Sequence, residues 1–380
     1  VMSAQERGME MMGDAQLRAV PSRPSGPFFA AIDLGTNNCR LMIAARTSSG
    51  FRVVDSFNRC VGLGEGLKVS GRLADDAMNR TIEALRICAE RLHQWPLTEI
   101  RAVATEACRR AGNGKDFLSR VFRETGLKID IISPREEAEL AVESCSGLFN
   151  HCPAAQEAER GVLFDIGGGS TEIAWVRLDQ KRSEHTLIGT TSIPIGVISL
   201  EETFGRGHGS SYDEMVSHVC EQLAPFESVH CIYREVMQGR TRLIGTSGTV
   251  TTLAGVALAL PRYNRAMIDG ATLPGSTMCE AIQVLRELGP QGLAAHPCVG
   301  PDRSRYVLPG CAIFEAIHQM WPIEQVTIAD RGLRDGMLAR MARDHALHSA
   351  SVRRRMGVSR FAKPYSATKA AGFLNNYVTL

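Results

Sequence analysis

The chain has 380 residues, 44% of them hydrophobic and 22% charged, with a formal net charge of +2. That size and composition suit one large or two medium globular domains of a soluble enzyme. A charge so near zero argues against general nucleic-acid binding, so any anion site must rest on local charge.

Residues 1–27 are polar, then Met-rich, then Pro/Ser-rich, and read as a disordered arm. The apolar run from Phe28 leads to Asp33 and then to Gly35, Thr36, Asn37, Asn38 and Arg40, with a second strand-like run at 41–45. A third strand is expected at 51–57, then a loop with Gly62, Gly64, Gly66 and Gly71. Met78, Ile82, Leu85, Ala89 and Leu92 form one stripe of a helix over 75–95, and Pro96 lies just past its end. A short strand at 100–104 runs into Arg109 and Arg110. These arginines could grip phosphate oxygens or form a solvated helix face, and the residues alone favour the solvated face.

After a strand at 127–132, Ser133 and Pro134 open a helix, with Glu136 placed for a capping box. Glu137 shares the inward face with Ala141 and Leu148, whereas Glu139 points to solvent. A carboxylate turned inward needs a partner or a function, which makes Glu137 a candidate general base. His151 reads as a loop residue.

The stretch VLFDIGGGSTE, residues 162–172, repeats the pattern around Asp33. An apolar strand ends in Asp165, then come Gly167, Gly168, Gly169, Ser170, Thr171 and Glu172. Glycines let backbone N–H groups approach an anion, and carboxylates beside it call for a divalent cation between. Alone, the stretch favours such a site but also allows a Gly-rich hairpin turn. The second copy weakens that reading and predicts two similar domains facing one cleft, with an oligophosphate held from both sides.

Beyond it, a hairpin partner is expected at 183–193, a short helix through 201–204, and a helix opened by a Ser211/Glu214 capping box. A strand at 242–245 enters Thr246, Ser247, Gly248 and Thr249, a small-residue turn that offers an anion or nucleoside site or simply tight packing. Residues 262–300 read as irregular apart from a helix near 278–288. An amphipathic helix from Asp302 through Trp321, a strand at 326–329 and a helix to about Arg343 follow. The basic tail is expected to be a solvated arm. The longest apolar segment, 253–260, is far too short to span a membrane, and the N-terminus does not resemble a signal peptide. Eleven scattered cysteines with no C-x-x-C pair fit reduced thiols in a cytoplasm.

The blocks DLGTNNCRL (33–41), ATEACRRAGN (104–113), SPREEA (133–138), DIGGGSTE (165–172), SIPIG (192–196), GTSGT (245–249) and ADRGLRDGML (329–338) stand in one order. In that order they resemble the exopolyphosphatase / guanosine pentaphosphate phosphohydrolase family (Ppx/GppA), in its short two-domain form. The resemblance implies an α/β fold with two ribonuclease-H-like domains of the actin/heat-shock-chaperone/sugar-kinase superfamily around an interdomain cleft. Residues 28–134 plus 331–346 would form domain I, 135–330 domain II, and 347–380 the tail. It implies Glu137 as catalytic base with Glu172 assisting, and Asp33, Asp165 and Glu172 as ligands of Mg²⁺ or Mn²⁺. Gly35, Thr36, Asn37 and Arg40 would bind phosphate from one side, and Gly168, Gly169 and Ser170 from the other. It reverses the reading of Arg109, which becomes a phosphate ligand. Asn38 stands where the family has a hydroxyl.

The implied reaction is hydrolysis of a terminal phosphoanhydride in polyphosphate or guanosine pentaphosphate. No membrane or specific nucleic-acid partner is expected, and a homodimer is allowed. A phosphotransferase of the sugar/acetate-kinase type, or a non-catalytic polyphosphate or alarmone sensor, would use the same loops. Water as the sole acceptor separates a hydrolase from the first, and turnover separates it from the second.

Overall fold

The apolar runs become strands because each alternates or fills both faces of a sheet. The computed structural model describes residues 26–355 except 49, 151–157, 180–183 and 210. Its first strands are β1 (Phe28–Leu34), β2 (Asn38–Thr47) and β3 (Gly50–Cys60), an antiparallel meander. Then come α1 (Leu67–Ser70), α2 (Asp75–Leu92), β4 (Leu97–Ala104), α3 (Glu106–Arg110), α4 (Gly114–Thr125) and β5 (Asp130–Ile131). The sheet order is β3-β2-β1-β4-β5, with β4 parallel to β1 and β5 parallel to β4.

After α5 (Pro134–Asn150), the pattern returns as β6 (Arg160–Ile166), β7 (Thr171–Asp179) and β8 (Glu184–Ile193). The helices α6 (Val197–Phe204), α7 (Ser211–His230) and α8 (Ile232–Met237) precede β9 (Thr241–Thr246). The chain continues through α9 (Gly248–Ala257), α10 (Arg265–Ile268), β10 (Thr272–Pro274), α11 (Gly275–Glu287), α12 (Pro290–Ala295), α13 (Gly300–Ser304) and α14 (Val307–Met320). It closes with β11 (Gln325–Ala329) and α15 (Leu333–Arg355). The second sheet runs β10-β11-β9-β6-β7-β8.

The two halves match in detail. β1 and β6 share the same burial pattern along seven residues. Asp33 pairs across its hairpin with Arg40, and Asp165 with Glu172, at the same register. Each sheet has its own core. Ile32, Leu41, Leu85 and Phe117 pack on one face of the first, and Phe164, Tyr212, Phe314 and Trp321 on one face of the second. The remaining faces are covered by α15, with Phe29, Met42 and Met337, and by α5, with Ala141, Leu163 and Ala174. The helices α5 and α15 meet each other between the sheets. Gly336 permits that contact, because a Cβ there would lie 2.1 Å from the Leu140 carbonyl oxygen.

Several local expectations are corrected. Ser133 does cap α5, its Oγ accepting from Glu136 N–H at 3.1 Å. Glu136 does not complete the box, because its carboxylate pairs with Arg101 of β4. Ser211 is itself the first residue of α7, and its hydroxyl donates to the His208 carbonyl at 2.9 Å. The strand expected at 127–132 narrows to Asp130–Ile131, the only residues in register with β4. The stretch 262–300 is structured: β10 pairs antiparallel with β11. The last helix continues to Arg355, into the expected tail. The disordered-arm reading of 1–25, His151 and the tail beyond 355 fall outside the described residues.

Candidate active site

Each hairpin turn is closed by the same bond. Gly35 N–H donates to Asn38 O and Gly167 N–H to Ser170 O, both at 2.9 Å. The segment after the third strand of each half then braces the loop. Val61 and Gly64 N–H donate to Asn37 and Thr36 carbonyls at 2.8 and 2.9 Å. Val197 and Ile198 N–H donate to Gly167 and Gly168 carbonyls at 3.0 and 2.8 Å. Gly196 is required there, since a Cβ would come within 2.4 Å of the Gly168 backbone. With the carbonyls engaged, the N–H groups of Thr36, Asn37, Gly168 and Gly169 donate to no backbone carbonyl among the described residues. Such outward N–H groups form an anion nest.

The loops face one another across a cavity of about 440 Å³. Asp33, Gly35, Thr36, Asn37, Asn38 and Arg40 line it from the first half. Asp165, Gly168, Ser170, Glu172 and the turn Thr246–Ser247–Gly248–Thr249 line it from the second, with Glu137 of α5 between. Thus almost every residue singled out above converges. Three do not line this cavity: Gly169 and Arg110 border a separate hollow behind the loops, and Arg109 lies behind Glu137. Its guanidinium donates to Glu137 Oε2 at 3.1 Å, to the Ile132 carbonyl at 2.8 Å and to Glu106 Oε2 at 2.8 Å. Arg109 is thus engaged with two carboxylates and a carbonyl, and it reaches the cavity only through Glu137.

The cavity also gathers residues that no motif flagged. Asn58 and Cys60 come from β3, Thr252 from α9, and Asp302, Arg303 and Tyr306 from the α13–α14 region. Arg303 Nη1 donates to Thr252 Oγ1 at 2.9 Å. Arg331, which belongs to the ADRGLRDGML block, also lines the cavity, its Nε and Nη2 both donating to Asp269 Oδ2 at 3.1 Å. They lie far apart in the chain, so no local pattern could mark them as a set.

Four carboxyls, Asp33, Glu137, Asp165 and Glu172, share this cavity. Glu137 is 7% and Glu172 4% exposed. Burial, and then the charge of Glu172, hold Glu137 well above the ordinary carboxylate range, while Arg109 pulls it down. Burial pushes Asp165 up to about 6. Glu172 is pushed to about 7 by burial and then by Asp165, against the hydroxyls of Ser170 and Ser192 that donate to it at 2.6 and 2.8 Å. Asp33 is raised by burial and lowered by Arg40 and Arg334.

Hard oxygen donors under mutual repulsion suit a divalent cation of the magnesium type. The expected three-carboxylate cage is not preassembled: among the described residues no three His, Cys, Asp or Glu side chains are grouped to hold an ion. The donor set fits a cation held by one or two of Asp33, Asp165 and Glu172, with phosphate and water completing its shell, as magnesium commonly is.

Comparison with known proteins agrees with this architecture. The model of the Ppx/GppA phosphatase family matches residues 42–345. A guanosine-5'-triphosphate,3'-diphosphate pyrophosphatase of Aeromonas hydrophila is 33% identical over 319 residues, covering 83% of this chain and 59% of that protein. The chain thus spans well under two thirds of that relative. Exopolyphosphatase 2 of Mycobacterium tuberculosis is 30% identical over 329 residues, covering 82% of this chain and 98% of its own. The crystal structure of the Aquifex aeolicus member of the Ppx/GppA family superposes with a TM-score of 0.67 at 25% identity, covering 84% of this chain and 98% of that one. An exopolyphosphatase from Cytophaga hutchinsonii gives 0.72 at 22%, covering 83% and 97%, a likeness of fold. The fold is that of the actin-like ATPase superfamily, with a sheet-and-loop unit in each half. With the family's pattern running through both sheets and the helices that join them, the chain belongs to the Ppx/GppA phosphatase family.

Proposed function

We propose that the protein hydrolyses terminal phosphoanhydride bonds, releasing orthophosphate from inorganic polyphosphate, from guanosine pentaphosphate, or from both. The observation that carries this reading is the position of Glu137. It is a buried carboxylate at the start of α5, facing a cavity walled by two N–H-rich loops. The names of the relatives support the substrate class.

The substrate's terminal phosphate lies between the loops, where N–H groups of Thr36, Asn37 and Gly168 meet its oxygens. Arg40 adds positive charge from the first half, and Arg303 from the second, for phosphates further along. Asp33, Asp165 and Glu172 are the residues to hold a divalent cation, Mg²⁺ or Mn²⁺. When bound, it shields phosphate charge and lets these acids ionise. Glu137 takes the proton of the attacking water. Arg109 orients Glu137 and favours its ionised form. Fixed donors around the transferring group supply most of the remaining stabilisation.

In this reading residues 28–134 with 331–346 and residues 135–330 act as two lobes, with α5 and α15 between them. Among the described residues no helix is long and apolar enough to cross a membrane, and a cytoplasmic site of action suits the substrates. The deciding experiment is a phosphate-release assay on long-chain polyphosphate, tripolyphosphate, guanosine pentaphosphate and ATP, with and without Mg²⁺. Release with water as sole acceptor is expected. Turnover only with a second acceptor would make the protein a phosphotransferase, and binding without turnover a sensor.

A further inference from the structure

Behind the two loops, away from the main cavity, lies the second hollow. It is lined by Thr36, Lys68, Glu106, Arg110, Gly169 and Glu202 among others. Thr36 borders both spaces and stands between them. It is wedged among three glycines. A Cβ on Gly64 would lie 2.2 Å from Thr36 Cγ2, one on Gly168 3.3 Å from Thr36 Cβ, and one on Gly169 2.7 Å from Thr36 Oγ1. Thr36, packed on the backbone of Gly168 and Gly169, thus stands at the boundary of the two spaces.

The outer wall is made by contacts between the halves. Gly66 N–H donates to Glu202 at 2.9 Å, and Lys68 Nζ donates to Thr203 Oγ1 at 2.5 Å. With these contacts made, the hollow has room of about 20 Å³, enough for one water and too little for phosphate. Two cations, Lys68 and Arg110, face two acids. Of these, Glu106 is already paired with Arg109 and Arg110.

We propose that orthophosphate leaves through this rear hollow, with Thr36 as the plug and the Gly66–Glu202 and Lys68–Thr203 contacts as the latch. The inference rests on the hydrolase reading above. In that reading the shortened chain would lie between a phosphate cut beside Glu137 and the side from which the chain entered. A rear exit lets product and chain part in opposite directions, so the chain advances without dissociating. Opening the latch widens the hollow, a small turn of Thr36 joins it to the main cavity, and Lys68 and Arg110 draw the anion out.

The test links the latch covalently. Lys68→Cys with Thr203→Cys is bridged by a bis-methanethiosulfonate reagent whose spacer replaces the reach of the lysine, and phosphate release from tripolyphosphate is followed in single-turnover and steady-state modes, with identically treated wild type as control. Expected is a single-turnover rate within about twofold of the reduced protein and a steady-state rate lowered about tenfold or more, restored by dithiothreitol. An unchanged steady-state rate overturns the rear exit. So does an equal loss in both modes, which would tie the latch to chemistry. A wild type releasing no phosphate would sink the hydrolase reading itself, and the exit with it. A second variant, Lys68→Glu, decides the matter if the bridge does not close. Inhibition by added orthophosphate should weaken about fivefold with KM for tripolyphosphate unchanged, and parallel changes in both would place the product at the front.

Discussion

Arg109 Nη1 lies 3.1 Å from Glu137 Oε2, so the proposed base is held by a guanidinium that is itself fixed by Glu106 and the Ile132 carbonyl. This chain of contacts runs from α3 to the first turn of α5. It gives the carboxylate one orientation and an opposing charge.

Replacing Glu137 by Gln keeps the shape and removes the proton acceptor. The expected result is a fall in kcat of about 10²–10⁴-fold, with KM within about threefold because the loops that hold the phosphates are untouched. Steady-state phosphate release checks this. Retention of activity within twofold or so would move the base elsewhere.

Arg109→Ala tests orientation separately from proton transfer. Burial and Glu172 already raise Glu137, and Arg109 opposes them. Its loss should move the acid limb of the kcat/KM profile to higher pH. Arg109→Lys restores the charge without the fork and should recover only part of the shift. An acid limb that stays in place in both variants would detach Arg109 from the base.

The crowded carboxyls should make the metal-free protein less stable as pH rises. Asp165 and Glu172 stand at about 6 and about 7 in the folded chain, above their ordinary values of 3.8 and 4.5. The folded state therefore binds their protons more tightly than the unfolded state. Their contribution to stability is full below about pH 4 and is lost as pH rises through about 7. Thermal melts in chelator should show the decline, and Glu172→Gln should flatten it. Added Mg²⁺ should raise Tm more at pH 7.5 or so than near 5.5, since the ligands must ionise to bind.

Ser247 has φ 114° and ψ 167°, a region nearly restricted to glycine that costs about 1–3 kcal/mol for other residues. Its hydroxyl returns little, accepting from Val250 N–H at 3.4 Å. Ser247→Gly should therefore stabilise the fold by about 1 kcal/mol, since Ser to Gly at a cap loses only a few tenths. A urea midpoint that falls would show the hydroxyl to matter more than the strain.

Gly336→Ala tests the helix pair. In an isolated helix this change gains about 1 kcal/mol. Here the new Cβ would meet the Leu140 carbonyl oxygen at 2.1 Å, and forcing α5 and α15 apart should cost about 1–3 kcal/mol or more. Denaturant unfolding should show net loss.

The parts of this protein written in contiguous residues could be read without a structure. Asp33 and Asp165 each end an apolar strand and precede a glycine turn, and the turns close with identical bonds because the same short spacing recurs. Glu137 faces inward because helical periodicity puts it above Ala141, whatever lies beyond. Other features depend on partners brought together from distant parts of the chain. Arg109 reads as a solvated or phosphate-binding arginine, and no neighbour in the chain announces the ion pair it makes with Glu137 of α5. Glu136 reads as half of a capping box until β4 supplies Arg101. Thr36 becomes a plug only where Gly64 and Gly168–Gly169 enclose it from both halves. Strand, turn and helix patterns arise from hydrogen bonds and burial among near neighbours, so local order carries them. A carboxylate's partner, or the glycines around a side chain, is set by how two sheets pack across α5 and α15, and no local spacing encodes that.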